Sequence, residues 1–125
     1  MQAEEIIRFI SEAKKKTPVK LYVKEKAPVD WTGTGEGTKV FGAGDSIVFG
    51  DWEDLAPIIE ANRGNIADIA VENDCRNSAV PMLDMKNIKA RIEPGAIIRD
   101  KAEIGENSVI MMGAVINIGA VVGAG

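Results

Sequence analysis

Apolar residues recur at Ile6, Ile7, Ile10 and Ala13 while Arg8 and Glu12 fall on the opposite side. That 3.6-residue spacing predicts an amphipathic helix over Ala3 to Lys16. Glu4 and Glu5 near its start and Lys14, Lys15 and Lys16 at its end complement the helix dipole, and Pro18 stops it. The period then changes to two: Val19, Leu21 and Val23 alternate with Lys20, Tyr22 and Lys24, as in a half-buried strand. Lys39 to Phe41 and Ser46 to Phe49 predict two more strands, and Gly42-Ala43-Gly44-Asp45 between them has hairpin turn chemistry. A second helix is expected from about Asp51 to Asn62, capped by Asp51, with Trp52, Leu55, Ile58 and Ile59 inward and Gly64 closing it. Pro57 costs about 3 kcal/mol in a helix interior unless it falls in the first turn, so a start as late as Asp54 is the alternative. Ile66 to Glu72 predicts a last strand. The result is a small α+β domain over residues 1–75, near the lower size limit for a self-sufficient core.

Residues 76–91, polar and interrupted by Pro81, read as a connector. From Ile92 the period is six. Ile92, Ile98, Ile104, Ile110, Ile116 and Val122 form one column, and Ala96, Ala102, Ser108, Ala114 and Ala120 form a second, four places later in each unit. Neither a helix nor a flat strand needs both columns at once. A triangular prism does: each short face sends one large aliphatic side chain inward, and each corner needs a small residue. Three units make an 18-residue coil, and stacking coils buries the aliphatic column, at about 1.5–3 kcal/mol per side chain. Gly95, Gly113 and Gly119 each precede a small residue, where a corner requires positive φ. Residues 92–125 make just under two coils, and a prism that stops there leaves open strand edges, so the natural polypeptide is expected to continue for several more coils.

Composition narrows the chemistry. The 125 residues carry 19 acidic and 15 basic side chains, a net charge of −4, which has the wrong sign for non-specific nucleic-acid binding. Histidine is absent and Cys75 is the single cysteine, so a zinc site, a Ser-His-Asp triad or an internal disulfide cannot be built within one copy, and a reducing cytoplasm is expected. Cys75 reads as an inert thiol in preference to a nucleophile, having no imidazole to activate it. The amino terminus reaches Arg8 before an apolar run develops, unlike a secretory signal. Val109 to Gly125 carries no charge, but it falls short of the roughly 20 residues a membrane span needs and is accounted for by the period of six. Thr32 to Thr38 contains G-x-G-x-G; with a strand and not a helix after it, a surface turn is preferred to a phosphate cradle. Eight acids and one base between Asp45 and Asp74 read as a solvated face, with a docking surface for a basic partner as the alternative.

The six-residue columns resemble those of the left-handed β-helix acyltransferases, whose coils run against the usual right-handed crossover rule. Within them, Arg76-Asn77-Ser78-Ala79-Val80-Pro81, Ala90-Arg91-Ile92-Glu93-Pro94-Gly95-Ala96 and the run from Val109 to Ala120 are similar to the tetrahydrodipicolinate N-acetyltransferase family of the diaminopimelate and lysine pathway. The helix and small α+β unit resemble that family's amino-terminal domain in layout. The fold implied is an α+β domain followed by the first coils of a left-handed parallel β-helix. The activity implied is transfer of an acetyl group from acetyl-CoA to the amine of L-2-amino-6-oxopimelate, without a covalent enzyme intermediate, in a cytoplasmic homotrimer with no permanently bound cofactor or metal. The resemblance places the catalytic acid and most of the CoA groove after residue 125, so no catalytic residue is named in this chain. For the dicarboxylate acceptor the candidates are Asn117, a polar residue in an uncharged run, together with Arg91 and Arg99, which can form paired hydrogen bonds to carboxylates. A corner or ladder role for Asn117 and rim positions for both arginines stay open, and Met111 and Met112 suit packing or the trimer contact. A succinyl-CoA-using or other hexapeptide acyltransferase is the alternative enzyme, a γ-type carbonic anhydrase is disfavoured by the missing histidines, and a non-catalytic trimerisation module is the alternative class. Residues 1–125 alone are expected to be inactive.

Overall fold

The computed structural model describes residues 1–32 and 35–125. Gly33 and Thr34, within the G-x-G-x-G segment, lie outside the described residues. The chain divides into two units, one of residues 15–78 and one of residues 1–14 with 79–125.

In the unit of residues 15–78, strands β1 (Pro18–Glu25), β2 (Lys39–Phe41), β3 (Asp45–Asp51) and β4 (Ile66–Glu72) form one antiparallel sheet in the order β2-β3-β1-β4. Val19, Leu21 and Val23 face inward as the alternation requires, with Leu21 paired to Val48 and Val23 to Ser46. The turn between β2 and β3 has positive φ at Gly42 and Gly44. Helix α2 (Trp52–Ala61) lays Leu55, Ile58 and Ile59 against that face. It starts at Trp52 with the expected cap, Asp51 Oδ1 accepting from Glu53 N at 3.3 Å, and so carries Pro57 in its second turn. Trp52, expected inward, is 39% exposed, and the core tryptophan is Trp31, which donates from Nε1 to Glu25 Oε1 at 3.0 Å. Gly64 does not close α2: Asn62 caps it, and a short 3-10 turn, Arg63–Asn65, leads into β4.

In the second unit, helix α1 (Ala3–Glu12) ends four residues before the expected Lys16. Ala13 is already extended, so Lys14, Lys15 and Lys16 lie outside the last turn and do not complement its dipole. Lys16 instead exchanges two backbone hydrogen bonds with Ser78, at 2.9 and 2.8 Å, which needs extended backbone. Ile6 and Phe9 are the half-covered residues of α1, whereas Ile7 is 67% exposed and Ile10 is also exposed.

Six two-residue strands follow: β5 (Arg91–Ile92), β6 (Ile97–Ile98), β7 (Glu103–Ile104), β8 (Val109–Ile110), β9 (Val115–Ile116) and β10 (Val121–Val122). They pair in parallel as β5 with β8, β6 with β9 and β7 with β10, each residue joined to the one 18 places later, as in Ile98 with Ile116. Three separate ladders at one coil's offset are what the period of six demands. Both columns point inward: Ile98, Ile110 and Ala102 are buried, with Ile92, Ala96, Ile104, Ala114, Ile116 and Val122 packed against them. Each corner closes with a hydrogen bond from the small residue to the third residue before it, for example Ala120 N to Asn117 O at 3.1 Å. Positive φ at Gly95, Lys101, Asn107, Gly113 and Gly119 makes these type II turns.

Of residues 76–91, expected as a connector, 79–91 group with the coils and 76–78 with the sheet unit. Leu83 N donates to Ile98 O at 2.9 Å, Asp100 N to Pro81 O at 2.8 Å and Asn107 N to Lys89 O at 2.8 Å. The first coil has a backbone edge that must be paired, and this segment pairs it without carrying the six-residue columns.

Candidate functional site

The corner after β6 and the corner after β9 are equivalent places on successive coils, because Ile98 pairs with Ile116. Arg99 and Asn117 therefore occupy matching first positions of two type II turns, and the coil brings these two candidates together. Arg91 lies elsewhere, on β5 in register with Val109.

Their side chains are engaged differently. Arg99 donates from Nε and Nη2 to the carbonyl oxygen of Val80, at 3.1 and 2.6 Å. Two arms of a guanidinium on one backbone oxygen tie residue 80 to the first coil. Asn117 is exposed, and its Oδ1 accepts from Ile118 N at 2.8 Å. The positive φ of its corner falls on Gly119, so Asn117 does not take the left-handed conformation. Arg91 is exposed and pairs with Glu93 at 3.2 Å; the neighbouring pair Lys89 with Glu106 spans 3.7 Å. An open cleft of about 430 Å3 runs beside them, lined by Lys89, Arg91, Asn107 and Val109. A basic pair beside an asparagine can receive a carboxylate or another small anion.

The outward positions of the ladders are largely apolar. Val115 and Met112 are each 71% exposed, and Ile97, Val109, Met111 and Val121 are also exposed. Monomeric surfaces rarely leave such residues contiguous. Among the described residues there is no group of three or more His, Cys, Asp or Glu side chains arranged to hold a metal ion, and no helix long and apolar enough to cross a membrane.

Sequence reasoning missed the Arg99–Val80 clamp and the left-handed corners at Lys101 and Asn107. The second had a signal. Positions 101 and 107 continue the six-residue series from Gly95, and asparagine tolerates that conformation better than most residues.

Residues 1–85 match the family described as tetrahydrodipicolinate succinyltransferase N-terminal. Over nearly its whole length the chain is similar to proteins named 2,3,4,5-tetrahydropyridine-2,6-dicarboxylate N-acetyltransferase. That of Bacillus licheniformis is 58% identical over 120 residues, covering 95% of this chain and 50% of the relative. That of Bacillus subtilis is 58% identical over 119 residues, covering 94% and 50%. That of Alkaliphilus metalliredigens is 55% identical over 116 residues, covering 91% and 48%. The chain spans about half the length of the curated relatives it matches.

Proposed function

Because the chain belongs to the tetrahydrodipicolinate succinyltransferase N-terminal family, we propose that it forms part of an acyltransferase of diaminopimelate and lysine synthesis. The enzyme moves an acetyl group from acetyl-CoA to the amine of L-2-amino-6-oxopimelate. The observation that carries this reading is the 58% identity over 95% of the chain to proteins named for that acetyl transfer. In the reaction the amine nitrogen forms a bond to the thioester carbonyl carbon, the C–S bond breaks, a base takes the amine proton and CoA leaves as its thiol. Stacked coils suit such a step because their backbone is held by ladder and corner hydrogen bonds at every turn, which fixes the approach of two bound molecules.

In this reading the coils wind left-handed, and the exposed apolar positions at Ile97, Val109, Met111, Met112 and Val115 support burial against neighbouring prisms in a cytoplasmic homotrimer. Asn117 contacts the acceptor and Arg91 pairs with one of its carboxylates. Arg99 contributes less directly, since two of its nitrogens are on Val80. The catalytic base and most CoA contacts belong to the part of the relatives' length that this chain does not span, and residues 1–125 alone do not turn over. Two folding units accompany the function: the sheet with α2, and the coils joined by α1 and residues 79–91.

A second reading is favoured by one observation: the matching family is described by succinyl transfer. The full-length protein, supplied with the acceptor and either acetyl-CoA or succinyl-CoA, separates the two by release of CoA thiol and the mass of the product. Thiol release with acetyl-CoA and an acetylated product are expected. Release with succinyl-CoA only would establish the second reading, and a trimer that releases thiol with neither donor would leave the non-catalytic module.

A further inference from the structure

At the amino end of α2 the unit of residues 15–78 holds a cleft of about 540 Å3, inside the roughly 300–1,000 Å3 range of small-molecule sites. Its apolar lining is Val19, Val71 and Trp52, the tryptophan that the helix pattern assigned to the core but the structure leaves 39% exposed. Asp51 also lines it. One oxygen of that carboxylate is committed, Oδ1 accepting from Thr17 N at 3.2 Å and Glu53 N at 3.3 Å. The other, Oδ2, is buried and accepts no hydrogen bond among the described residues. A buried acceptor without a donor costs about 1–3 kcal/mol, and more when charged. Two backbone N–H groups fix the carboxylate, so the oxygen cannot turn out to water without losing the cap of α2. Opposite charge lines the same cleft, as Arg76 and Lys15. Thr17 joins the two sides, its Oγ1 accepting from Asn77 N at 3.0 Å.

The Asp51 carboxylate, the Arg76 guanidinium, the Lys15 ammonium and an apolar surface line one cleft and complement a molecule bearing all three opposite features. We propose that the cleft binds a free α-amino acid as its zwitterion. The ammonium is held by Asp51, the carboxylate by Arg76 and Lys15, and a hydrocarbon side chain lies on Val19, Val71 and Trp52. A polyanion is opposed by Asp51 and Glu53, and a simple amine leaves Arg76 unused. The site lies in the sheet unit, apart from the coils where acyl transfer is placed, and binding there does not depend on which acyl donor is used.

The test titrates the full 125-residue chain with L-norleucine by calorimetry and amide NMR. Saturable binding is expected, with shifts centred on Thr17, Glu53 and Asn77. Pentylamine, which lacks the carboxylate, and hexanoate, which lacks the ammonium, should each bind at least about tenfold more weakly. Asp51→Asn keeps a helix-capping oxygen but loses the charge, and Arg76→Gln loses the fork; each should weaken norleucine by about 10- to 100-fold. Arg76 is exposed, so its variant carries the test if Asp51→Asn does not fold, as judged by circular dichroism. The proposal is overturned by no saturable binding at about 10 mM, by equal binding of the three probes, or by unchanged affinity in the folded variants.

Discussion

Gly113 and Gly119 hold the same corner position with nearly the same φ, +80° and +82°, yet their surroundings differ. A Cβ at Gly113 meets nothing within 4 Å, whereas one at Gly119 lies 2.6 Å from Cδ1 of Ile6. Gly113→Ala is therefore expected to cost only the left-handed backbone penalty, about 1–2 kcal/mol. Gly119→Ala should cost more, because the Ile6 side chain must move as well. Urea unfolding of both variants measures the difference, and equal losses would mean that Ile6 does not rest on the corner. The glycines were legible from their spacing. Asn107 continues their series with a residue type that tolerates the same conformation, whereas at Lys101 the residue type does not announce it; Lys101 Nζ sits 5.8 Å from the Phe9 ring centroid, a favourable contact from outside the repeat.

Elements are specified by period and stopped by context. Alternation located β1 and the hairpin of β2 and β3, and the six-residue columns located all six short strands. Helix ends were less legible: Asp51 caps α2 through Glu53 N while also accepting from Thr17 N, and Ser78 pairs with Lys16 just after α1. The same holds for residues 79–91, where Arg99 supplies the tie. Arg99→Lys replaces two donors on Val80 O by one mobile ammonium, and is expected to lower stability by about 1 kcal/mol and to speed amide exchange at Leu83 and Asp100. If exchange there is unchanged, Val80 is held by other contacts.

For the whole molecule, the two units give a mutation a local address. Ala114 packs against the buried column, so Ala114→Glu forces a carboxylate beside an apolar axis, a cost of several kcal/mol. Amide protection of the ladders from β5 to β10 should collapse while that of β1 and β3 persists; retained ladder protection would refute the inward placement of the small column. That column, the aliphatic one and the strand alternation were determined by the sequence alone, because a side-chain period is a local property that must match the backbone's own repeat. Three things only the tertiary structure decided. It chose Ile6 over Ile7 for the covered side of α1, put Arg99 on a carbonyl 19 residues away, and left one oxygen of Asp51 buried without a donor among the described residues. Each depends on groups distant in sequence arriving at one place, and no pattern of spacing along the chain encodes that meeting.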